Sequence, residues 1–360
     1  MDIIHVLSPQ NFVLEGIVDS YESLIWSPSY SDIGDFELYL PVTTANVNLL
    51  QKNRYLVRDR DITVSDNIVT YKKVMVIKNI TISTDVDEGD YITVTGRELK
   101  YLLHSRIIWK MTTLTGTAEN AIRKLISENA INPSDSKRVI PTLTLDGAIG
   151  LTDTLDMQVT GDNLAEVVVD TCKTYNYGWE IYIHDNKLRF MMYKGVDRSY
   201  DQTDIPYVLF SDDFDNLSNT EYQLESEEYA NTTLVGGEGE GSERKFITVN
   251  ANNSGLNRYE LFTDARDVSS TTEDDKQLST AEYNKLLEDR GKEALADVSI
   301  TEGFSGKLIT TGTFEYGSDF YLGDTVTVIN KYGVAKNVMV LSTVESFSDD
   351  GESLIPEFNI

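Results

Sequence analysis

The residues with the clearest capacity for chemistry are three histidines, one cysteine and a glycine-rich stretch, "LVGGEGEGSERKF" (234–246), with four glycines in six residues among glutamates. Histidine is the commonest general base, yet His5, His104 and His184 fall in three separate segments, and none has a metal-ligand spacing such as H-E-x-x-H. They read as structural or exposed side chains. No G-x-S-x-G elbow occurs, and Cys172 lies on the apolar stripe of an expected helix, so nucleophilic hydrolysis is disfavoured. With 59 carboxylates, a glycosidase-like pair can be drawn almost anywhere, and a solvated surface is the simpler fate of each. The acidic runs "DVDEGD" (85–90) and "SDDFD" (211–215) lack the spacing of a calcium-binding loop, although opportunistic divalent binding stays open. No catalytic residue, cofactor or dedicated metal site is assigned.

The residues after the glycine-rich stretch decide how it reads. A nucleotide loop leads from a strand into a helix, whose free N–H groups hold the phosphate. Here "RKFITVN" (244–250) reads as a strand, there is no G-K-[ST], and Glu238, Glu240 and Glu243 stand where a phosphate needs donors. A turn between strands, in which glycine permits positive φ or close backbone approach, is the better account.

The elements that would position these residues are mostly strands. "DYITVTG" (90–96) alternates, and "WEIYIHDNKLRFMMYK" (179–194) reads as a hairpin turning at Asp185-Asn186. "LGDTVTVINKYG" (322–333) and "KNVMVLSTVESF" (336–347) form another hairpin-like pair. Three segments carry helical signals. Thr117 opens the stripe Ile122, Leu125, Ile126, Asn129, and Asp162 caps a helix burying Leu164, Val167, Val168, Thr171 and Cys172. Ser279 and Glu282 form a capping box ahead of Tyr283, Leu286, Leu287 and Leu295, after the polar run "SSTTEDDKQ" (269–277). The fold expected is mainly β with α+β insertions.

Composition narrows the function classes. The 360 residues carry 31 basic and 59 acidic side chains, and the net charge of -28 repels nucleic-acid phosphates and anionic membranes. One cysteine leaves no intrachain disulfide framework. The first residues lack a signal-peptide pattern, no run approaches the ~20 apolar residues of a membrane span, and synthesis and folding in a cytoplasm are expected.

Seven stretches in order carry a resemblance: "YESLIWSPSYSDIGDFELYLP" (21–41), "VTGRELKYLLHSRII" (94–108), "YKGVDRS" (193–199), "VLFSDDFDNLSNTEY" (208–222), "VGGEGEGSERK" (235–245), "GLNRYELFTDARDV" (255–268) and "YGSDFYLGDTVTV" (316–328). Spanning nearly the whole chain, they make it similar to the tail-hub proteins of long-tailed bacteriophages of Gram-positive hosts. That family resembles in turn the central hub proteins of contractile-tail baseplates and the N-terminal module of tail-associated lysins.

The resemblance implies a non-enzymatic homotrimer at the tail tip of the virion, assembled in the host cytoplasm and in some cases encoded by a prophage. Each subunit would hold two related small β-barrels plus two inserted or peripheral domains. The expected boundaries are 1–105 with about 205–235 for the first barrel and 106–204 for an α+β insertion. Residues 236–262 with about 300–360 would form the second barrel, and 263–299 a small helical insertion. An echo between "ITVTGREL" (92–99) and "TLVGGEGE" (233–240) is what two related barrels would leave. Implied partners are a hexameric distal tail protein or tail tube, a tape-measure protein and a receptor-binding or fibre protein, with DNA passing through unbound.

Residues 211–300 hold 21 acidic and 8 basic side chains, so either a channel wall that repels DNA or an ordinary soluble surface accounts for them. Glu238, Glu240 and Glu243 are the candidates for the wall. Trp26, Tyr30 and Phe36 are either interface anchors or the first barrel's core, and Arg97, Arg198 and Arg266 are candidates for inter-domain or inter-subunit salt bridges. The alternatives are the structural N-terminal part of a cell-wall hydrolase, whose catalytic domain would lie beyond Ile360, and a host-carbohydrate-binding module.

Overall fold

In the computed structural model, which describes residues 2–86, 89–272, 276–309, 313–348 and 351–359, the alternation of "DYITVTG" becomes the strand Gly89–Glu98. Ile92 and Val94 are fully buried while Thr93 and Thr95 face outward, and the strand pairs antiparallel with Asp35–Pro41 on one side and Met75–Asp85 on the other. Extending this ladder gives an N-terminal module in the order Ser23–Ser27, Asp35–Pro41, Gly89–Glu98, Met75–Asp85, Tyr55–Arg58, Ile4–Leu7, Leu14–Val18. Its core gathers Trp26, Phe36, Leu38, Met75, Ile92 and Val94. A short helix, α1 (Thr44–Leu49), is capped by Thr43, whose Oγ1 accepts a hydrogen bond from Asn46 N at 3.0 Å.

A C-terminal module repeats the antiparallel pattern in the order Thr325–Ile329, Ala335–Ser348, Gly351–Asn359, Thr301–Leu308, Leu217–Glu225, and Leu209–Ser211 adds in parallel beside Thr325–Ile329. Phe210, Phe304, Phe320, Val326, Val340 and Phe358 fill its core. The two modules are not separate. The fourteen-residue strand Ala335–Ser348 pairs with Thr325–Ile329 over its first part and, through residues 345–348, with Ser23–Ser27 of the N-terminal module. One thirteen-stranded sheet therefore runs through both, and no closed barrel is present among the described residues, where two small barrels were expected.

The inserted domain holds α2 (Ala118–Ile126), capped by Thr117, and α3 (Leu164–Tyr175). Asn163 rather than Asp162 caps α3, accepting from Ala165 N at 3.0 Å, while Asp162 accepts from Thr160 N. Cys172 is buried on the inner face of α3, and Asp185 and Asn186 turn the expected hairpin with φ of 50° and 54°. The domain's five-stranded sheet also recruits the hairpin Ile62–Ser65/Ile68–Tyr71 from within the N-terminal module, a long-range pairing that local patterns do not announce.

Residues 230–298 form a peripheral unit. Thr232–Gly236 pairs antiparallel with Phe246–Val249 and parallel with Glu260–Asp264, and α4 (Thr280–Asp297) covers this sheet. The Ser279/Glu282 capping box is present. Gly291 brings α4 close, because a Cβ there would lie 2.7 Å from methyls of Val235 and Val249.

This arrangement corrects three expectations. Residues 236–262 do not join 300–360, since the strands there pair within the peripheral unit. Residues 209–225 belong to the C-terminal module rather than to 1–105, and the echo between 92–99 and 233–240 does not mark the two modules. Alternation shows that a strand exists but not which strand it meets. The acidic runs 85–90 and 269–277 lie partly outside the described residues, at 87–88 and 273–275.

Candidate functional site

Burial separates the aromatic candidates from any surface. Trp26, Tyr30 and Phe36 are 0%, 0% and 2% exposed, so none is free to anchor a second subunit. Trp26 and Phe36 sit in the N-terminal core with ring centroids 5.7 Å apart. Tyr30 instead knits three parts of the chain together. Its hydroxyl donates to Asn176 O at 3.1 Å and accepts from Gly195 N at 3.1 Å, its backbone N–H donates to Leu341 O at 2.7 Å, and its carbonyl accepts from Trp179 N. The ring packs on Gly178 and Gly323, where an added Cβ would fall 2.3 Å and 2.2 Å from its carbons.

A buried ionic cluster that local patterns do not announce lies in the N-terminal module. Arg58, fully buried, donates from Nε to Asp61 at 2.7 Å, pairs through Nη1 with Glu345 at 2.8 Å, and sits 3.9 Å from Asp2. Its guanidinium also lies 5.2 Å from the Trp26 ring centroid. Arg60 adds pairs to Asp2 at 2.8 Å and Glu345 at 3.4 Å. Burial opposes ionisation of Glu345, but Arg58, Lys73 and Arg60 together outweigh it and hold that carboxyl below its ordinary value. For Asp2 burial prevails over Arg60 and Arg58, and its carboxyl is pushed up. Because Glu345 belongs to the strand that crosses between modules, the cluster clamps the joint. In the sequence Arg58 and Glu345 stand in strand-like runs, "YLVRD" and "STVESF", with nothing local to pair them.

A second clamp fixes the loop carrying Tyr30. Glu98 accepts from Gly34 N at 2.7 Å and from Lys100 at 3.1 Å, and Lys100 donates to Ser29 O at 2.5 Å and Asp32 O at 2.7 Å. Among the candidate arginines, Arg198 ties the exit of the inserted domain to the C-terminal module through Asp324 at 2.8 Å. Arg97 pairs with its cross-strand neighbour Asp35 at 3.3 Å, and Arg266 with Asp264 at 2.6 Å, both exposed and local. Neither crosses between domains.

The glycine-rich stretch connects the antiparallel strands Thr232–Gly236 and Phe246–Val249 through a single 3-10 turn, Gly241–Glu243, and a strand rather than an α-helix follows it, as in a connecting turn and not a phosphate cradle. Gly239 and Gly241 take φ of 101° and 53°. Glu238 is tied inward, accepting from Ser270 N at 3.1 Å, while Glu240 and Glu243 are exposed. The remaining chemistry-bearing groups do not converge. His184 Nδ1 shares a 2.8 Å hydrogen bond with Thr70 Oγ1, whereas His104 stacks on Tyr101 at 4.7 Å on another element. Burial pushes the Cys172 thiol up to about 12, far from thiolate formation at neutral pH. No group of three His, Cys, Asp or Glu side chains among the described residues is arranged to hold a metal, and no helix among them is long and apolar enough to cross a membrane.

What the chain possesses, then, is a set of joints holding β modules in one sheet. The sequence model of the Siphovirus ReqiPepy6 Gp37-like protein family matches residues 3–358. The chain belongs to this family. A comparison with curated proteins finds no match. Among solved structures, a tail protein from Neisseria meningitidis MC58 is similar at 12% identity and TM-score 0.57, with 100% of this chain and 96% of that chain covered. The 43 kDa tail protein of prophage MuSo2 from Shewanella oneidensis is similar at 11% identity and TM-score 0.58, with 99% and 98% covered. Prophage tail protein gp18 from Listeria monocytogenes EGD-e is similar at 12% identity and TM-score 0.51, with 99% and 94% covered. At such identities the likeness is one of fold, and it covers this Gp37-like chain from end to end.

Proposed function

We propose that this Gp37-like chain is a structural subunit of the phage tail tip, a hub whose three copies form a ring that closes the tail tube. The observation that carries the reading is the continuous sheet through two β modules in one subunit. Three copies would set six modules in a ring, so one face meets a six-fold tube or hexameric distal tail protein while the other keeps three-fold symmetry for a receptor-binding or fibre protein. A tape-measure protein would occupy the lumen before DNA passes. The buried clamps suit this role, since a scaffold that adapts symmetry must hold its two modules at a fixed spacing.

Within this reading the exposed Glu240 and Glu243, with Glu238 behind them, face the channel and repel each passing phosphate. Mass measurement of the purified chain, followed by electron microscopy, tests the hub directly: a trimeric ring is expected, and a chain that stays monomeric both in solution and on the tail would end the proposal. Replacing Glu240 and Glu243 by glutamine tests the channel role, which would be lost if genome ejection were unaltered. Wall-hydrolysis and glycan-binding assays on the same preparation separate the hub from the enzyme and carbohydrate-binding alternatives, and no activity is expected in either.

A further inference from the structure

The thirteen-stranded sheet ends on one side at Leu14–Val18 and on the other at Leu217–Glu225. A terminal strand displays N–H and C=O groups that can pair with another chain, and such edges are normally blunted by charge, proline or a bulge. Leu14–Val18 has a bulge at its start, where Val6 pairs with Gly16 and Leu7 with Leu14, and residues 16–18 then run in regular register beside 4–6. Ile3, Val13, Leu14 and Ile17 stand 37%, 55%, 48% and 46% exposed around it, and its single charge, Glu15, is paired with Arg54. At the far end a bulge between Ser218 and Glu221, with Asn219 at φ 52°, guards the first half of the strand. Residues 222–225 nevertheless run in regular register beside 301–304, with Leu224 51% exposed.

The chain already joins its own modules by lateral strand pairing, residues 23–26 against 345–348. We propose that a second copy of the chain joins in the same manner, the 16–18 part of one subunit's near edge pairing with the 222–225 part of the next subunit's far edge. Every copy carries one edge of each kind, so the contact is head to tail, and a head-to-tail contact is the kind that repeats around a closed ring. A pairing of like edges would instead stop at two copies. The inference rests on the ring reading above and assigns its contact.

Cross-linking in the full chain tests it. Glu15→Cys and Gln223→Cys, both at exposed positions, are made separately, mixed and treated with a short bis-maleimide. The native Cys172 is buried and does not compete. The mixture is expected to give a covalent dimer that neither variant gives alone. A second pair of variants, Ile17→Asp and Leu224→Asp, is expected to weaken assembly about tenfold or more in dissociation constant, with circular dichroism unchanged. If the wild type forms a trimer but the mixture does not cross-link and the aspartate variants assemble normally, the edge contact is overturned while the ring survives. If the wild type remains monomeric both in solution at every concentration and on the tail, both fall.

Discussion

Replacing Arg58 by methionine should be among the most damaging single substitutions in the chain. The side chain is fully buried and faces Asp61, Glu345 and Asp2, so its removal leaves carboxylates in a low-dielectric site with Arg60 and Lys73 as their neighbouring cations. Breaking a buried pair in this way costs about 3–5 kcal/mol, because the orphaned charge keeps its desolvation penalty. For a chain of 360 residues unfolding as one unit that corresponds to a melting-point loss of roughly 4–7 °C. Two further readouts separate this account from simple loss of packing. Unpaired buried carboxylates gain protons more readily, so the deficit should shrink between pH 8 and pH 5. The double variant Arg58→Met/Glu345→Gln should recover part of it. Differential scanning calorimetry on the three proteins decides the matter: a loss below about 1 kcal/mol that does not change with pH, the behaviour of an exposed pair, would refute the clamp.

In the wild type, Glu345 has a folded-state pKa below its unfolded one, so its contribution is complete above the ordinary carboxylate range and is lost as pH falls through the folded value. Asp2 is shifted upward and acts in the opposite sense, so Glu345→Gln should flatten the acid limb of the stability profile measured by urea denaturation. Tyr30→Phe removes one donor and one acceptor at the junction and should cost about 1–2 kcal/mol, seen as faster proteolysis around residues 195–205. Gly291→Val places a side chain against Val235, Val249 and Thr233, and should lift α4 at a cost of about 1–3 kcal/mol, with hydrogen exchange rising in residues 232–249 but not in residues 35–41. Cys172 should resist a thiol reagent at pH 8 in the native protein and react only after unfolding.

Much of the local structure could be read directly from the residues. The Ser279/Glu282 capping box, the Asp185-Asn186 turn and the apolar stripe of α3 depend on neighbours within a few positions, so their chemistry is written in a short window. The glycine-rich stretch was equally legible, because a strand and not a helix comes after it. The -28 charge and the scattered histidines likewise belong to the sequence alone.

Which strands meet was decided only by the tertiary structure. Residues 62–71 join a sheet whose other strands lie beyond residue 140, 345–348 reach back to 23–26, and 232–236 lies parallel to 260–264. Each of these pairings brings together segments that alternate in much the same way, and a period of two states only that one face is buried, not against which partner. For the same reason Trp26 and Phe36 could be read as interface or as core until the opposing strands were in place. Arg58 and Glu345 lie near opposite ends of the chain, and they acquire a joint role only because the long C-terminal strand crosses from one module into the other and brings opposite charges into a place without water.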